Sequence, residues 1–165
     1  MELNQSTLRG ILAQITSVDE KYIVPKQGNW WNPQENLNQP DTWCAYLIRS
    51  NTPRTAPFYV KGANGNQAAV EKIATIDLQF VGQQAEELAQ TVAFWNLRTD
   101  VNEALKQVQG SILYSDKEAQ SSNFYQQGSN NVLAWNTTIK VLWFHLLDTN
   151  QSLFPNMELD GYIKN

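Results

Sequence analysis

The segment from Ile73 to Ile112 reads strand, glycine, helix, glycine, strand, and this order constrains the fold more than any other feature. Apolar residues occupy every second position from Ala74 to Phe80, with polar residues between them. Such alternation is typical of a strand with one covered and one solvated face. After Gly82, alanine, leucine and valine recur at helical spacing and form a stripe that can lie on a sheet. Gly110 ends the helix before the next short strand.

The rest of the chain is interpreted as strands and a first helix added to this unit. A chain of 165 residues suits a single domain with a full hydrophobic core, which we place over about residues 6–146. We expect a first helix that is capped by Ser6. We expect Thr42–Arg49 and Val70–Val81 to pair as a long antiparallel hairpin whose connecting arm projects from the domain.

The second half of the chain contains a helix break, a polar loop and a long last strand. The apolar stripe of the second helix changes phase, and Thr99 resembles an N-cap, so we predict a break at Arg98 and Thr99. Residues 116–131 are polar and are predicted as a loop. Val132–Leu146 is predicted as a strand that lies mid-sheet or meets another chain, because its second half is apolar on both faces. Residues 147–165 form a tail that either hangs free or attaches to a neighbour.

Composition excludes several classes of protein. The net charge of -4 and a pI near 4.9 disfavour a general nucleic-acid binder, which needs a basic face. The chain holds 17 Asn and 16 Gln, which suit solvated loops and wet protein–protein contacts equally well. A single cysteine permits no internal disulfide. No signal peptide or membrane-spanning run is recognised, so we expect a protein made in a cytoplasm and without membrane contact.

Residue types needed for catalysis are scarce. His145 is the only histidine and lies in an apolar strand pattern, which is typical of a structural residue. Cys44 lies beside Trp43 and has the surroundings of a small buried thiol. One His and one Cys cannot form an ordinary zinc site, and no carboxylate pair or phosphate loop is found. We therefore expect no enzyme activity, no cofactor and no metal, and we assign no catalytic residues.

Aromatic and loop residues are the candidates for contact with partners. Trp30 and Trp31 lie in a long polar loop, where they either cover one end of the core or dock onto a partner subunit. The candidate interaction residues are Trp30, Trp31, Phe58, Tyr59, Asn64, Gly65, Asn66, Phe124, Tyr125, Trp143 and Phe154.

The order of these elements resembles the tail terminator proteins of long-tailed bacteriophages, also called tail completion or neck proteins. The resemblance covers about residues 6–146. It is carried by Thr75–Ala85, Ala89, Leu105, Gly110–Tyr114 and Leu133–Trp135, which leads into the last strand. In the family, that strand often has an acidic residue and an arginine after the aromatic residue, whereas here Asn136 and Thr137 follow Trp135.

The resemblance implies an α/β (α+β) domain with a curved, mostly antiparallel or mixed sheet of about four to five strands and helices on one face. It implies a structural virion protein whose hexameric ring caps the tail tube and joins it to the neck, while DNA passes through the channel without specific binding. The implied partners are further copies of the chain, the tail tube protein and the neck stopper or connector protein. The sheath is a further candidate. The alternatives are another neck or baseplate ring protein, or a soluble aromatic-rich module that binds carbohydrate or peptide.

Overall fold

A computed structural model describes residues 3–26, 42–62, 65–127 and 130–146. Within these ranges the α-helices are α1 (Gln5–Thr16), α2 (Ala85–Thr91) and α3 (Thr99–Leu105), and the 3-10 helices are Glu20–Tyr22, Val92–Leu97 and Lys106–Val108. The strands are β1 (Ile23–Pro25), β2 (Thr42–Pro53), β3 (Phe58–Gly62), β4 (Gly65–Gly82), β5 (Ser111–Ser115), β6 (Gln120–Gln127) and β7 (Asn130–Leu146).

The strands form one open, curved sheet, which confirms the predicted α+β fold. Its main order is β1-β2-β4-β7-β5, while β3 pairs with β4 and β6 pairs with β7. The β1–β2 pairing is parallel and the other pairings are antiparallel. The described residues thus contain seven strands rather than four to five, because two further strands extend the edges of the long β4 and β7.

Strand β6 corrects the prediction of a polar loop over residues 116–131. Gln120 pairs with Asn136 and Gln127 with Asn130, so most of this segment is a strand along β7. Six of its eight residues are polar and the two aromatic ones are adjacent, so no alternating apolar signal marks the strand. Such a signal arises only where one face of a strand is buried, whereas backbone pairing with β7 does not depend on side-chain polarity.

The central strand β4 has the predicted division between its two faces. Ala74, Ile76, Leu78 and Phe80 are almost fully buried beneath the helices and belong to the main core cluster. Opposite them, β7 contributes its own apolar row to the same core, including Ile139. The position of β7 between β4 and β5 explains its apolar second half, so the expectation of a mid-sheet strand is confirmed.

The helix boundaries refine the predicted caps. Asn4 rather than Ser6 caps α1, because its side-chain oxygen accepts a hydrogen bond from the Thr7 N–H at 2.9 Å. The predicted break in the second helix is confirmed, since Arg98 is extended with φ -83° and ψ 126° between two helical segments. Thr99 is already the first residue of α3 and not its cap.

Two glycines allow the chain to turn between helices and sheet. Gly82 ends β4 with φ 115°, a backbone conformation that side-chain-bearing residues rarely adopt. Gly110 precedes β5, where a Cβ atom would lie 3.0 Å from the backbone oxygen of Leu142. The glycine after the strand is therefore explained by the positive φ of its turn. The glycine after the helical segment is explained by the close approach of the β7 backbone.

Candidate interaction surfaces

Two hairpin arms extend from opposite ends of the sheet. The first residues of β4 lie beyond the end of β7, which pairs as far as Ala69 with Leu146, and in the described residues they pair with β3 alone. At the other end β7 continues past its pairing of Ala134 with Val81 and is accompanied by β6. The first arm was predicted from sequence, and the second was missed with β6.

The predicted contact residues near the first arm have different environments. Tyr59 on β3 is 76% exposed, so it remains available for a contact. Phe58 is half-buried and packs edge-on against Phe144, with ring centroids 6.1 Å apart. Trp143 is fully buried, and its indole N–H donates a hydrogen bond of 2.9 Å to the side-chain oxygen of Asn51. The prediction of Trp143 as a contact residue is therefore wrong, because its ring belongs to the core.

The other predicted contact residues fall into two groups. Gly65 and Asn66 begin β4, while Phe124 and Tyr125 lie in β6 rather than in a loop. The described residues do not include Trp30, Trp31, Asn64 and Phe154, and these predictions lie outside the described ranges.

The sheet face opposite the helices carries polar side chains in transverse rows. One row contains Gln79, Asn136 and Gln120, which are directly paired across β4, β7 and β6. The next row contains Asp77 opposite Thr138. These residues line an open depression of about 420 Å³, whose wall on the β1–β2 side includes Lys26 and Arg49. We call this surface the open face.

Hydrogen bonds balance the charges on the open face. Arg49 donates to a carboxylate oxygen of Asp77 at 2.9 Å, and the other oxygen of Asp77 accepts from the Thr138 hydroxyl at 3.1 Å. Asp116 accepts from the backbone N–H of Thr138 at 2.7 Å and from the Tyr114 hydroxyl at 3.1 Å, and this last contact raises the pKa of Tyr114. Paired charges of both signs and neutral amides suit contact with neutral polar groups better than capture of an anion.

The residues considered for chemistry have structural environments. Cys44 is fully buried, and burial raises the pKa of its thiol well above the ordinary range, so the reactive thiolate is suppressed. The His145 ring packs edge-on against Trp143 at 5.7 Å between centroids. Across the described ranges, no group of three or more His, Cys, Asp or Glu side chains is placed to hold a metal ion. The helices there are also too short or too polar to cross a membrane.

Sequence reasoning missed an exposed apolar group beside β5. Phe94 and Leu97 lie on the 3-10 helix Val92–Leu97 and are 62% and 76% exposed, and Leu113 on β5 is 50% exposed. The sequence pattern indicated only that the helical phase is lost near Leu97, and it assigned no role to Phe94. A 3-10 helix repeats every three residues, so the spacing of Phe94 from Leu97 was the signal that could have revealed them.

Comparison with known proteins gives no family assignment. No protein-family model matches the chain, and no curated protein sequence matches it either.

Proposed function

We propose that this protein is a structural component of a phage tail, a tail terminator that forms a hexameric ring on the tail tube and joins it to the neck. Its location is the virion, after synthesis in the host cytoplasm. In this role its partners are further copies of itself, the tail tube protein and the neck stopper or connector protein. The sheath is a further candidate. The role is an assembly function without catalysis, cofactor or metal.

One observation carries the proposal: a sheet covered by helices on one face presents an open polar face on the other, between two projecting arms. In a ring whose sheets follow one another edge to edge, the helices lie outside and the open faces line the channel. Each arm then points along the channel axis, towards the ring above or below. This arrangement supplies a lumen and two docking ends from one small domain.

The electrostatics of the open face fit a channel through which DNA moves. Arg49 is paired with Asp77, and a second carboxylate, Asp116, accepts a hydrogen bond from the backbone N–H of Thr138, the residue opposite Asp77. A cation that is already paired with a carboxylate releases fewer phosphate counterions on meeting DNA, so retention of DNA is weak. The overall charge of -4 acts in the same direction.

The test combines native mass with tube binding. We expect sedimentation or native mass spectrometry of the purified protein to give a hexamer, or a monomer–hexamer mixture that shifts with concentration. Mixed with purified tail tubes, the protein should appear by electron microscopy as a ring at one tube end and should stop further tube growth. Protein that neither assembles nor binds tubes would exclude the terminator role. Binding at the baseplate end would instead favour the alternative of another ring protein of the tail.

The depression on the open face is the observation that favours the second alternative, a soluble binding module. Gln79 is only 4% exposed at its floor, and its side-chain amide lies in one row with those of Asn136 and Gln120. Neutral sugars or short peptides could form hydrogen bonds with such a row of amides. Titration with a panel of neutral mono- and disaccharides, followed by tryptophan fluorescence, separates the two functions, because saturable quenching is expected from the module and not from the ring.

A further inference from the structure

Exposed large apolar side chains in the described residues are concentrated at two opposite sides of the sheet. Ala69 pairs with Phe58 on one side and with Leu146 on the other, so β3 and β7 flank β4 on different sides. The larger group lies on or beside β5, at one side of the sheet, and the smaller group lies on β2 and β3, at the other. The first group is Phe94, Leu97, Leu113 and Tyr114, and the second is Leu47 and Tyr59.

The surface at β5 is made by Phe94, Leu97 and Leu113, and we call it the helical edge. On the 3-10 helix the buried pair Val92 and Trp95 faces the core, and the pair at 94 and 97 is offset from it and faces solvent. Residues three apart are aligned on such a helix, so the buried pair and the exposed pair each form a continuous surface. Leu113 is the unpaired residue of a β-bulge in β5, which turns it outward beside the helix.

The surface on the first arm is centred on Tyr59, and we call it the arm edge. Tyr59 is opposite Ala68 in the β3–β4 hairpin, and at 76% exposure it is, with Leu97, the most exposed large apolar residue described. An amphipathic ring at this exposure is typical of the anchor residues of protein interfaces.

The segments of chain that lead into the two edges carry opposite charge. Residues 54–62, which lead into and form β3, contain Arg54 and Lys61 and no acidic residue. Residues 83–97, which lead into and form the helical edge, contain Glu86 and Glu87 and no basic residue, and Arg98, which follows, is paired with Asp100. Arg54 lies 3.7 Å from Glu71, yet half of its side chain is exposed, so it remains available to a second carboxylate. Complementary charge of this kind steers association and fixes its orientation.

We propose that the helical edge of one copy packs against the arm edge of the next copy, so that the chain associates with itself head to tail. This inference rests on the proposed function and names the surfaces that would close its ring. A two-fold dimer requires one patch that is complementary to itself, whereas two different, complementary patches on opposite sides of one domain generate a heterologous interface. The chain carries both halves of such an interface.

The test uses one charged substitution on each edge. Leu97→Asp adds an acid to the acidic helical edge, and Tyr59→Asp removes the ring from the arm edge and lowers its positive charge. Both side chains are 76% exposed, so the monomer should keep its stability. Ser6→Asp, at an exposed position of α1, is the matched control for an added carboxylate.

The native mass of each variant and of an equimolar mixture gives the decisive comparison. We expect wild-type protein and Ser6→Asp to assemble, and each edge variant alone to remain monomeric, with association weakened at least about tenfold. The mixture should form a one-to-one dimer and nothing larger. The Leu97→Asp copy retains an intact arm edge and the Tyr59→Asp copy an intact helical edge, so only one unaltered interface can form.

Each other outcome has a definite meaning. Edge variants that assemble like wild-type protein would overturn the inference and leave the proposed ring standing with other contacts. Edge variants that are monomeric alone and also when mixed would overturn the head-to-tail pairing of these two surfaces. Wild-type protein that stays monomeric at every concentration would overturn the inference as well, while capping of tail tubes would still support the proposed function.

Discussion

Substitution of Trp143 tests whether the far end of β7 belongs to the core, as the structure has it, or to a contact surface, as the sequence suggested. The indole ring is fully buried and donates its one hydrogen bond to Asn51. Trp143→Ala removes a large buried ring and leaves the Asn51 oxygen unpaired. Loss of a buried tryptophan costs about 3–5 kcal/mol, of which the hydrogen bond accounts for about 1 kcal/mol.

The measurement is urea unfolding followed by circular dichroism, at protein concentrations where the native mass shows monomer, since association adds apparent stability. In thermal unfolding, a loss of 3–5 kcal/mol in the free energy of unfolding corresponds, for a chain of this size, to a fall in Tm of about 6–20 °C. Asn51→Ala should lose about 1 kcal/mol, and the exposed control Tyr59→Ala less than about 0.5 kcal/mol. Equal midpoints for Trp143→Ala and Tyr59→Ala would refute the placement of Trp143 in the core.

Three further predictions concern two glycines, the thiol of Cys44 and the stability of the protein at acid pH. Gly10→Ala should stabilise the protein by about 0.5–1 kcal/mol, because nothing lies within 4 Å of the added methyl group in the interior of α1. Gly110→Ala should destabilise it by about 1–3 kcal/mol, because the methyl group meets a strand oxygen at 3.0 Å, and urea midpoints compare the two. Cys44 should react with a thiol-specific disulfide reagent only as fast as the chain unfolds, and immediate stoichiometric labelling of folded protein would contradict its burial. The Arg98 guanidinium holds the pKa of Asp100 below its usual value near 3.8, so the unfolded state binds the proton more tightly and the stabilising effect is present above pH 4 and lost as pH falls through the folded pKa. Stability measured from pH 5 to pH 2 should therefore fall less steeply for Asp100→Asn than for wild-type protein.

The part of the fold predicted best from sequence was the part with one buried and one solvated face. Strand β4 and the apolar row of β7 were recognised because burial imposes a period of two on their side chains. The break at Arg98 was recognised because the helical phase changed there. Strand β6 was missed because six of its eight residues are polar and its two aromatic residues, Phe124 and Tyr125, are adjacent, so no apolar alternation marks it. The strand is identified by its pairing with β7.

The candidate contact residues were predicted less well, because an aromatic residue in a strand can face either the core or solvent. Tyr59 and Trp143 both looked like contact residues, yet one is exposed on an arm and the other is buried in hydrogen-bonded contact with Asn51. Phe94 and Leu97 were not identified as contact residues, because the sequence alone does not indicate a change from α-helix to 3-10 helix. That change rotates the side chains relative to the α-helical stripe.

The sequence by itself determined the class of fold, the single main core and the scarcity of catalytic groups, since these follow from local periodicity and from residue counts. Tertiary structure alone decided which surfaces are open. The row of Gln79, Asn136 and Gln120 joins β4 to the β6–β7 hairpin, which is distant from β4 along the chain, and the two edges lie apart because β4 and β7 separate them. Period and composition act within a segment, whereas a surface is set by strand pairing between segments, which only the folded chain brings together.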